Sequence, residues 1–381
     1  MSRKLRMGMV GGGAGSFIGD VHRKAASIDG MIELVCGAFS STAEKSIASG
    51  LALHLDENRC YGNFEDMIKK EAALPEDIRM DFVAIVTPNH MHFPPAKMAL
   101  EHGFHVVCDK PVTLTLDEAE ALKDVVDDSG KLFALTHNYT GNSMVKQAKA
   151  MVANGELGTI RKIQAQYLQG WLSTSLEKTE QKQAAWRVDP KRSGIGGALG
   201  DIGTHAENLI EYITGLKIEE IAADLGRFGE GRILDDDGNM LIRMKNGAKG
   251  TISISQIALG EENNLGIKVY GTKGSLEWYQ ENPNELITRW LEEPKKIYTP
   301  NGIGLHEEAQ EVSRIPAGHP EGYLEAFATI YKNFATHLTA VNEGESIEKP
   351  DYPSIEDGIR GMKFICAAVD SDKNNAAWTK I

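Results

Sequence analysis

The opening stretch of the chain limits its fold more tightly than any other. Leu5-Arg6-Met7-Gly8-Met9-Val10 reads as a short buried strand. Gly11-Gly12-Gly13-Ala14-Gly15-Ser16 follows, and a helical pattern then runs over about 18–28. Glycines permit a tight turn and let backbone N–H groups approach a pyrophosphate, to which the helix N-terminus adds partial positive charge. Gly11 and Gly13 fit G-x-G, but Ser16 stands where the third glycine of a dinucleotide fingerprint belongs. The reading is a slightly longer loop, with Gly15 and Gly19 taking over the close packing of helix on strand. A glycine turn with a purely structural role is the competing reading.

The surrounding pattern favours a nucleotide fold. Residues 31–39, 81–86, 104–108 and 131–135 read as buried strands, and 41–50, 93–101 and 116–129 as helices. Such alternation predicts a doubly wound parallel sheet. After about residue 138 the pattern changes. Helices are expected at 142–152 and 197–213, then strands in which polar and apolar residues alternate, as in Thr251-Ile252-Ser253-Ile254-Ser255 and Leu265-Gly266-Ile267-Lys268-Val269. That period of two marks an antiparallel sheet with one face in the core. Two helices, at 323–341 and 355–370, close the chain. The expected class is therefore α/β: a Rossmann-type doubly wound domain over 1–138, then an α+β domain over 139–381 with a large, open, mostly antiparallel sheet. A length of 381 residues suits two domains.

Charge and composition remove other classes. There are 41 basic against 54 acidic residues, a net charge of −13, and no Lys/Arg block supplies a nucleic-acid footprint. No apolar run reaches the roughly 18–20 residues that span a bilayer. The basic start from Ser2 to Arg6 runs into a glycine-rich segment that makes a poor signal core, so the expectation is a cytoplasmic protein. Cys36, Cys60, Cys108 and Cys366 form no CxxC pair and read as free thiols. His90 and His92 have no third ligand at useful spacing, and no metal is expected.

Asp201 and His205 stand four apart in a helical pattern, which sets carboxylate and imidazole side by side. Leu199, Ile202, Ala206, Leu209 and Ile213 form an apolar stripe. Asp201, His205, Asn208 and Tyr212 form a second, rotated by about 100°. One face can pack while the next turns polar groups into a cleft. Read alone, the pair is equally a helix cap and a packed histidine.

Three segments bear a family likeness: Val86-Thr87-Pro88-Asn89-His90-Met91-His92, Val106-Val107-Cys108-Asp109-Lys110-Pro111 and Gly200-Asp201-Ile202-Gly203-Thr204-His205. Together they resemble the Gfo/Idh/MocA oxidoreductases. Ala38-Phe39-Ser40-Ser41, Thr136-His137-Asn138-Tyr139-Thr140 and His319-Pro320-Glu321-Gly322-Tyr323 look most like the branch holding levoglucosan and some scyllo-inositol dehydrogenases. The resemblance implies NAD(P)-dependent oxidation of a secondary hydroxyl of a sugar, anhydrosugar or cyclic polyol. Lys110, Asp201 and His205 would be catalytic, with His205 the general base. An ammonium from the first lobe and an imidazole from the second would converge on one alcohol oxygen. The family usually has Glu-Lys-Pro, often with a cis Lys–Pro bond; here Asp109 keeps the charge one methylene shorter.

Cofactor contacts are expected from the loop (Gly11, Gly13, Ala14, Gly15, Ser16) and the first helical turn (Phe17, Ile18). The ends of later strands add Ser40, Ser41, Thr87, Asn89, His92, Asp109 and Lys110, and Trp186 and Arg187 join from the second part. After the second strand neither an acid for a ribose 2′-OH nor an arginine for a 2′-phosphate is present. Ser40 and Ser41 suit either cofactor, with Lys45 one turn on; the reading leans to NAD without excluding NADP. Beside Lys110, Asp201 and His205, the substrate residues are taken as Tyr139, Gln164, Gln166, Trp171 and His319. Trp171 and Trp186 read equally well as core. The resemblance also implies a homodimer or homotetramer, with the polar sheet face around 251–255 as a plausible interface. Two other readings compete: an enzyme that retains and recycles its NAD, and a non-catalytic sugar or cofactor sensor.

Overall fold

The computed structural model describes residues 3–179, 181–347 and 350–381; Ser2, at the head of the basic start, lies outside them. The chain divides into two compact units. One comprises the residues up to Asn138 together with Phe327–Ile359, and the other comprises Tyr139–Ala326 with Arg360–Ile381.

The first unit is built on a parallel five-stranded sheet in the order β2-β1-β3-β4-β5. Its strands are β1 (Leu5–Gly11), β2 (Ile32–Ala38), β3 (Phe82–Val86), β4 (His105–Cys108) and β5 (Phe133–Leu135). Its helices are α1 (Phe17–Ile28), α2 (Ala43–Ala52), α3 (Phe64–Ala72), α4 (Phe93–Glu101) and α5 (Leu116–Ser129). Every residue of β3 and β4 is buried, which is why those strands read as unbroken apolar runs. Helix α3 is invisible to apolar periodicity, since only Met67, Ile68 and Glu71 of it are buried. It starts because the Asn63 side chain accepts from Asp66 N at 2.7 Å.

The sequence reading has a continuous second domain over 139–381. The structure instead groups Phe327–Ile359 with the first unit. The cause is aromatic packing from the helix Tyr323–Asn342. Phe334 and Tyr331 lie 5.1 and 6.5 Å from the Phe82 ring, and Tyr331 Oη is 2.7 Å from His22 Nδ1.

Four histidines of this unit are buried, His22, His92, His105 and His137. Burial holds His22 and His105 down at about 4 and His137 at about 3. These values lie below that of a free imidazole, so from about pH 6.5 downward the unfolded chain takes up protons that the folded one refuses. Stability is therefore intact above about 6.5 and falls with acidification, by up to about 1.4 kcal/mol per pH unit for each histidine. Melting temperatures should drop between pH 7 and 5. His105→Asn, whose Oδ1 can still accept from Leu132 N at the Nδ1 position, should make the slope shallower. A melting temperature flat over that range would refute the assignment.

The second unit carries a mixed nine-stranded sheet, β13-β12-β11-β10-β6-β9-β8-β7-β14. Its members are β6 (Lys162–Leu168), β7 (Ile218–Gly226), β8 (Asp237–Met244), β9 (Lys249–Ser255), β10 (Asn264–Tyr270), β11 (Gly274–Tyr279), β12 (Leu286–Trp290), β13 (Lys296–Tyr298) and β14 (Thr379–Lys380). Only β6 and β9 pair in parallel; the other pairings are antiparallel. One face is apolar, with Ile163, Ala165, Tyr167, Ile252, Ile254, Ile267 and Trp278 buried. Helices α6 (Ser143–Ala153) and α9 (Thr204–Thr214) pack on the sheet, and the short α7 (Lys182–Arg187) and α8 (Pro190–Ser193) lie on the chain before α9.

Candidate active site

Strand β1 has β2 on one side and β3 on the other, so the strand order reverses there. Open α/β sheets bind ligands at such a switch point, beyond the strand C-termini. The glycine loop leaves β1 at that point. Gly11, Gly12 and Gly15 take φ of 83°, 74° and 78°, where other residues are strained. A Cβ on Gly13 would sit 2.7 Å from Phe39 O. Ala14 and Gly15 are exposed, so bare backbone is presented at the start of α1. This cradle fits a dinucleotide pyrophosphate. Ser16 caps α1 by accepting from Gly19 N at 3.2 Å. Phe17 is 67% exposed and Ile18 half-buried.

The structure separates the roles given to Gly15 and Gly19. Nothing lies within 4 Å of a Cβ on Gly15, whereas one on Gly19 would stand 2.3 Å from Gly12 Cα. Gly19 thus does the work of the third glycine, letting helix touch strand, while Gly15 serves the turn. Gly19→Ala should cost about 1–3 kcal/mol, the usual range for overpacking, and weaken dinucleotide binding. Thermal melts and an NADH fluorescence titration check this; unchanged values in both would overturn it.

At the end of β4 the Lys110–Pro111 peptide is cis. Two braces hold this turn. Asp109 Oδ1 accepts from Lys110 N and from Thr136 Oγ1, both at 2.9 Å. The His92 ring lies with Nδ1 2.7 Å from Pro111 O and Nε2 2.8 Å from Thr87 O. His92 is 1% exposed, and burial lowers its proton affinity. Both its nitrogens lie against backbone carbonyl oxygens, and the neutral ring donates to one of them at a time, so it is wedged between the Lys110 turn and the end of β3 and turns no nitrogen to a cofactor. That corrects the expectation for His92, which reads as a ligand only because it follows a strand end. Asp109 is likewise occupied in bracing the turn. Thr87 is half-buried, Asn89 is buried, and Ser40 and Ser41 lie just beyond β2, the latter exposed.

In the second unit the segment before α9 departs from the expected regular helix. Leu199–Gly203 is π-helical, a wider turn often found at functional sites. It carries Asp201, and His205 follows in the first turn of α9. The expected apolar stripe is buried throughout. In the second stripe His205 and Asn208 are buried, each 7% exposed, while Asp201 and Tyr212 are half-buried. Asp235 pins the segment, accepting from Gly197 N at 2.7 Å and Leu199 N at 2.6 Å. Burial pushes that carboxyl up to about 6.

Around the pair, Asp201 Oδ2 accepts from Arg187 Nε at 3.1 Å and Gln256 Nε2 at 2.8 Å. The Arg187 guanidinium lies 4.4 Å from the Trp186 ring and 5.9 Å from that of Trp171. The His205 ring stands 4.9 Å from Tyr139, edge to face, and 6.0 Å from Tyr167. Tyr167 Oη donates to Asn263 Oδ1 at 2.8 Å, so across their 2.7 Å contact Tyr139 donates to Tyr167. Burial pushes both phenols up, and neither ionises near neutral pH.

The structure therefore gathers Asp201, His205, Tyr139, Trp171, Trp186 and Arg187 in one unit. Gln164 and Gln166 do not join them. They alternate with Ile163, Ala165 and Tyr167 along β6 and pair with Thr251 and Ser253 of β9, on the polar sheet face. Their residue type suits a sugar, but their parity is wrong. His319 lies on an exposed loop with Nδ1 3.0 Å from Pro316 O. The sequence reading misses Tyr167, Asn263, Gln169 and Gln256. The alternation along β6 carries the signal for Tyr167; nothing local marks the others. Among the described residues no three His, Cys, Asp or Glu are placed to hold a metal, and no helix is long and apolar enough to cross a membrane.

A doubly wound sheet with a glycine cradle at its switch point, joined to a unit bearing an Asp/His pair, defines a dinucleotide-dependent oxidoreductase. Comparison with known proteins makes the class specific. Residues 5–137 match the model of an oxidoreductase family with an NAD-binding Rossmann fold, and residues 145–277 match the Gfo/Idh/MocA C-terminal domain. The uncharacterised oxidoreductase YfiI of Bacillus subtilis is 35% identical over 100% of this chain and 98% of its own length. An inositol dehydrogenase homologue from Azotobacter vinelandii, complexed with NAD+, superposes with a TM-score of 0.96 at 34% identity, over 100% of this chain and 98% of that one. Levoglucosan dehydrogenase of Pseudarthrobacter phenanthrenivorans is 27% identical over 97% of this chain and 96% of its own. The chain belongs to the Gfo/Idh/MocA oxidoreductase family, and it is an NAD(P)-dependent oxidoreductase.

Proposed function

We propose that this enzyme oxidises a secondary hydroxyl of a neutral cyclic polyol or anhydrosugar to a ketone, with His205 as general base. The observation that carries the reading is the group around α9: a carboxylate and an imidazole on one segment, walled by Tyr139, Tyr167 and Trp171. Aromatic faces with a few fixed polar groups suit a carbohydrate ring. Bound NAD(P)+ supplies the hydride acceptor. The glycine loop and the residues after β2 and β3 hold it. His205 takes the hydroxyl proton, since an imidazole nitrogen is a competent general base and the neighbouring phenols stay protonated. Lys110 donates to the same oxygen as alkoxide character develops. Asp201 accepts from a substrate hydroxyl. Similarity to levoglucosan dehydrogenase and to the inositol dehydrogenase homologue supports the substrate class.

A cofactor-reduction screen across inositols, anhydrosugars, aldoses, glucosides and sugar phosphates, run with NAD and with NADP, tests the reading. Faster rates with NAD and a neutral cyclic polyol or anhydrosugar are expected; a substrate confined to sugar phosphates would overturn it. We further place the protein in the cytoplasm, as its four cysteines, none of them in a disulfide, favour. The polar sheet face serves a dimer or tetramer, which light scattering checks.

A further inference from the structure

We propose that Gln256 is a positioning residue for Asp201: with Arg187 it fixes the carboxylate as an acceptor of a substrate hydroxyl. This rests on the dehydrogenase reading. Gln256 directly follows β9 and is 2% exposed. Its backbone is held on both sides, its N–H donating to Asp236 O at 2.8 Å and its carbonyl accepting from Leu172 N at 2.9 Å. A side chain so anchored has little freedom, and its amide nitrogen ends 2.8 Å from Asp201 Oδ2.

The second donor comes from another element. Arg187 on α7 reaches the same oxygen through Nε, while its NH1 is held by Gln183 Oε1 at 2.6 Å. Two donors in different directions on one carboxylate oxygen set the plane of the group, and so the direction in which Oδ1 accepts. Asp235 meanwhile fixes the backbone that carries Asp201. An ion pair to Arg187 alone would supply the countercharge but leave the carboxylate able to turn. The neutral amide adds direction without adding charge. It also presents only donor hydrogens to Asp201, which suits an acceptor and not a proton carrier. The chemistry then leaves His205 as the proton carrier, and Gln256 acts through Asp201 without touching substrate.

The test replaces the amide by its isosteric acid. Charged and titratable groups near Asp201 among the described residues include Arg187, His205, Tyr139, Tyr167 and Asp235; all stay in place in Gln256→Glu. When protonated, the introduced carboxyl donates to Asp201 Oδ2 as the amide does. When it ionises, two carboxylates face each other at hydrogen-bond distance, a pair that holds its shared proton to unusually high pH. The ratio of variant to wild-type kcat/KM should therefore fall by about tenfold or more as pH rises from 6 to 9. Gln256→Leu should lose about tenfold at every pH, because it only removes a bond to a charged group. A structural role would instead lower both variants by a factor independent of pH. With the wild type active, a flat ratio for Gln256→Glu overturns the positioning role alone. A wild type inactive across the whole screen overturns the dehydrogenase reading, and the positioning role with it.

Discussion

Replacing His205 with alanine should lower kcat by about 10²–10⁴, the usual worth of a general base. Few groups near it can substitute. Tyr139 and Tyr167 are the ionisable side chains whose rings lie beside it, and both are buried phenols held protonated, with Tyr167 directing its proton to Asn263. Asp201 is engaged by Arg187 and Gln256. The ring is also packed edge-on against Tyr139, so alanine leaves a cavity as well as removing a base. His205→Asn separates the two effects: it keeps polar volume, should fold as the wild type does, and should still lose most of the turnover. Steady-state rates at pH 7 with a substrate from the screen, alongside melting temperatures, make the measurement. Turnover within a few-fold of wild type would remove His205 from the mechanism.

Lys110→Met should reduce kcat/KM by about 10²–10³, the range seen when a donor to a developing oxyanion is removed. The methionine keeps the apolar stem and deletes the ammonium, so the loss reports charge and not packing. If Lys110 donates to that oxygen as proposed, both kcat and KM should worsen, because such a donor acts in the ground state and more strongly in the transition state. The turn bearing Lys110 is braced through Asp109, which accepts from Lys110 N and Thr136 Oγ1, and the buried His92 ring packs between it and the end of β3. The backbone should therefore survive the substitution. An unchanged kcat/KM would exclude Lys110 from the reaction.

What the sequence disclosed follows from how far each signal reaches along the chain. The glycine loop and the buried strands announce themselves within a few residues, because a tight turn or a strand covered on both faces leaves little choice of residue type. Helices α4 and α5 are legible to the residue, α5 through its Thr115/Glu118 capping box. The pair Asp201 and His205 is legible by spacing and likeness, but not its π-helical setting, since nothing local in Leu199-Gly200-Asp201-Ile202-Gly203 calls for a wider turn. That turn is held from afar by Asp235, 36 residues from Leu199. Gln256 and Asn263 are hidden for the same reason: their partners lie far off in sequence. Gln164 and Gln166 are of a residue type that suits a sugar, but strand parity puts them on the polar face of β6 and Tyr167 on the buried one.

The excursion of Phe327–Ile359 into the first unit bears on how this protein can be dissected. A fragment ending at Asn138 holds the whole parallel sheet and the dinucleotide cradle, yet it lacks the aromatic cover over Phe82 and the hydroxyl that meets His22. Severed there, it would expose a greasy patch and strand a buried imidazole. Recombination or engineering that swaps nucleotide-binding modules must therefore carry the distant C-terminal piece along with the N-terminal one.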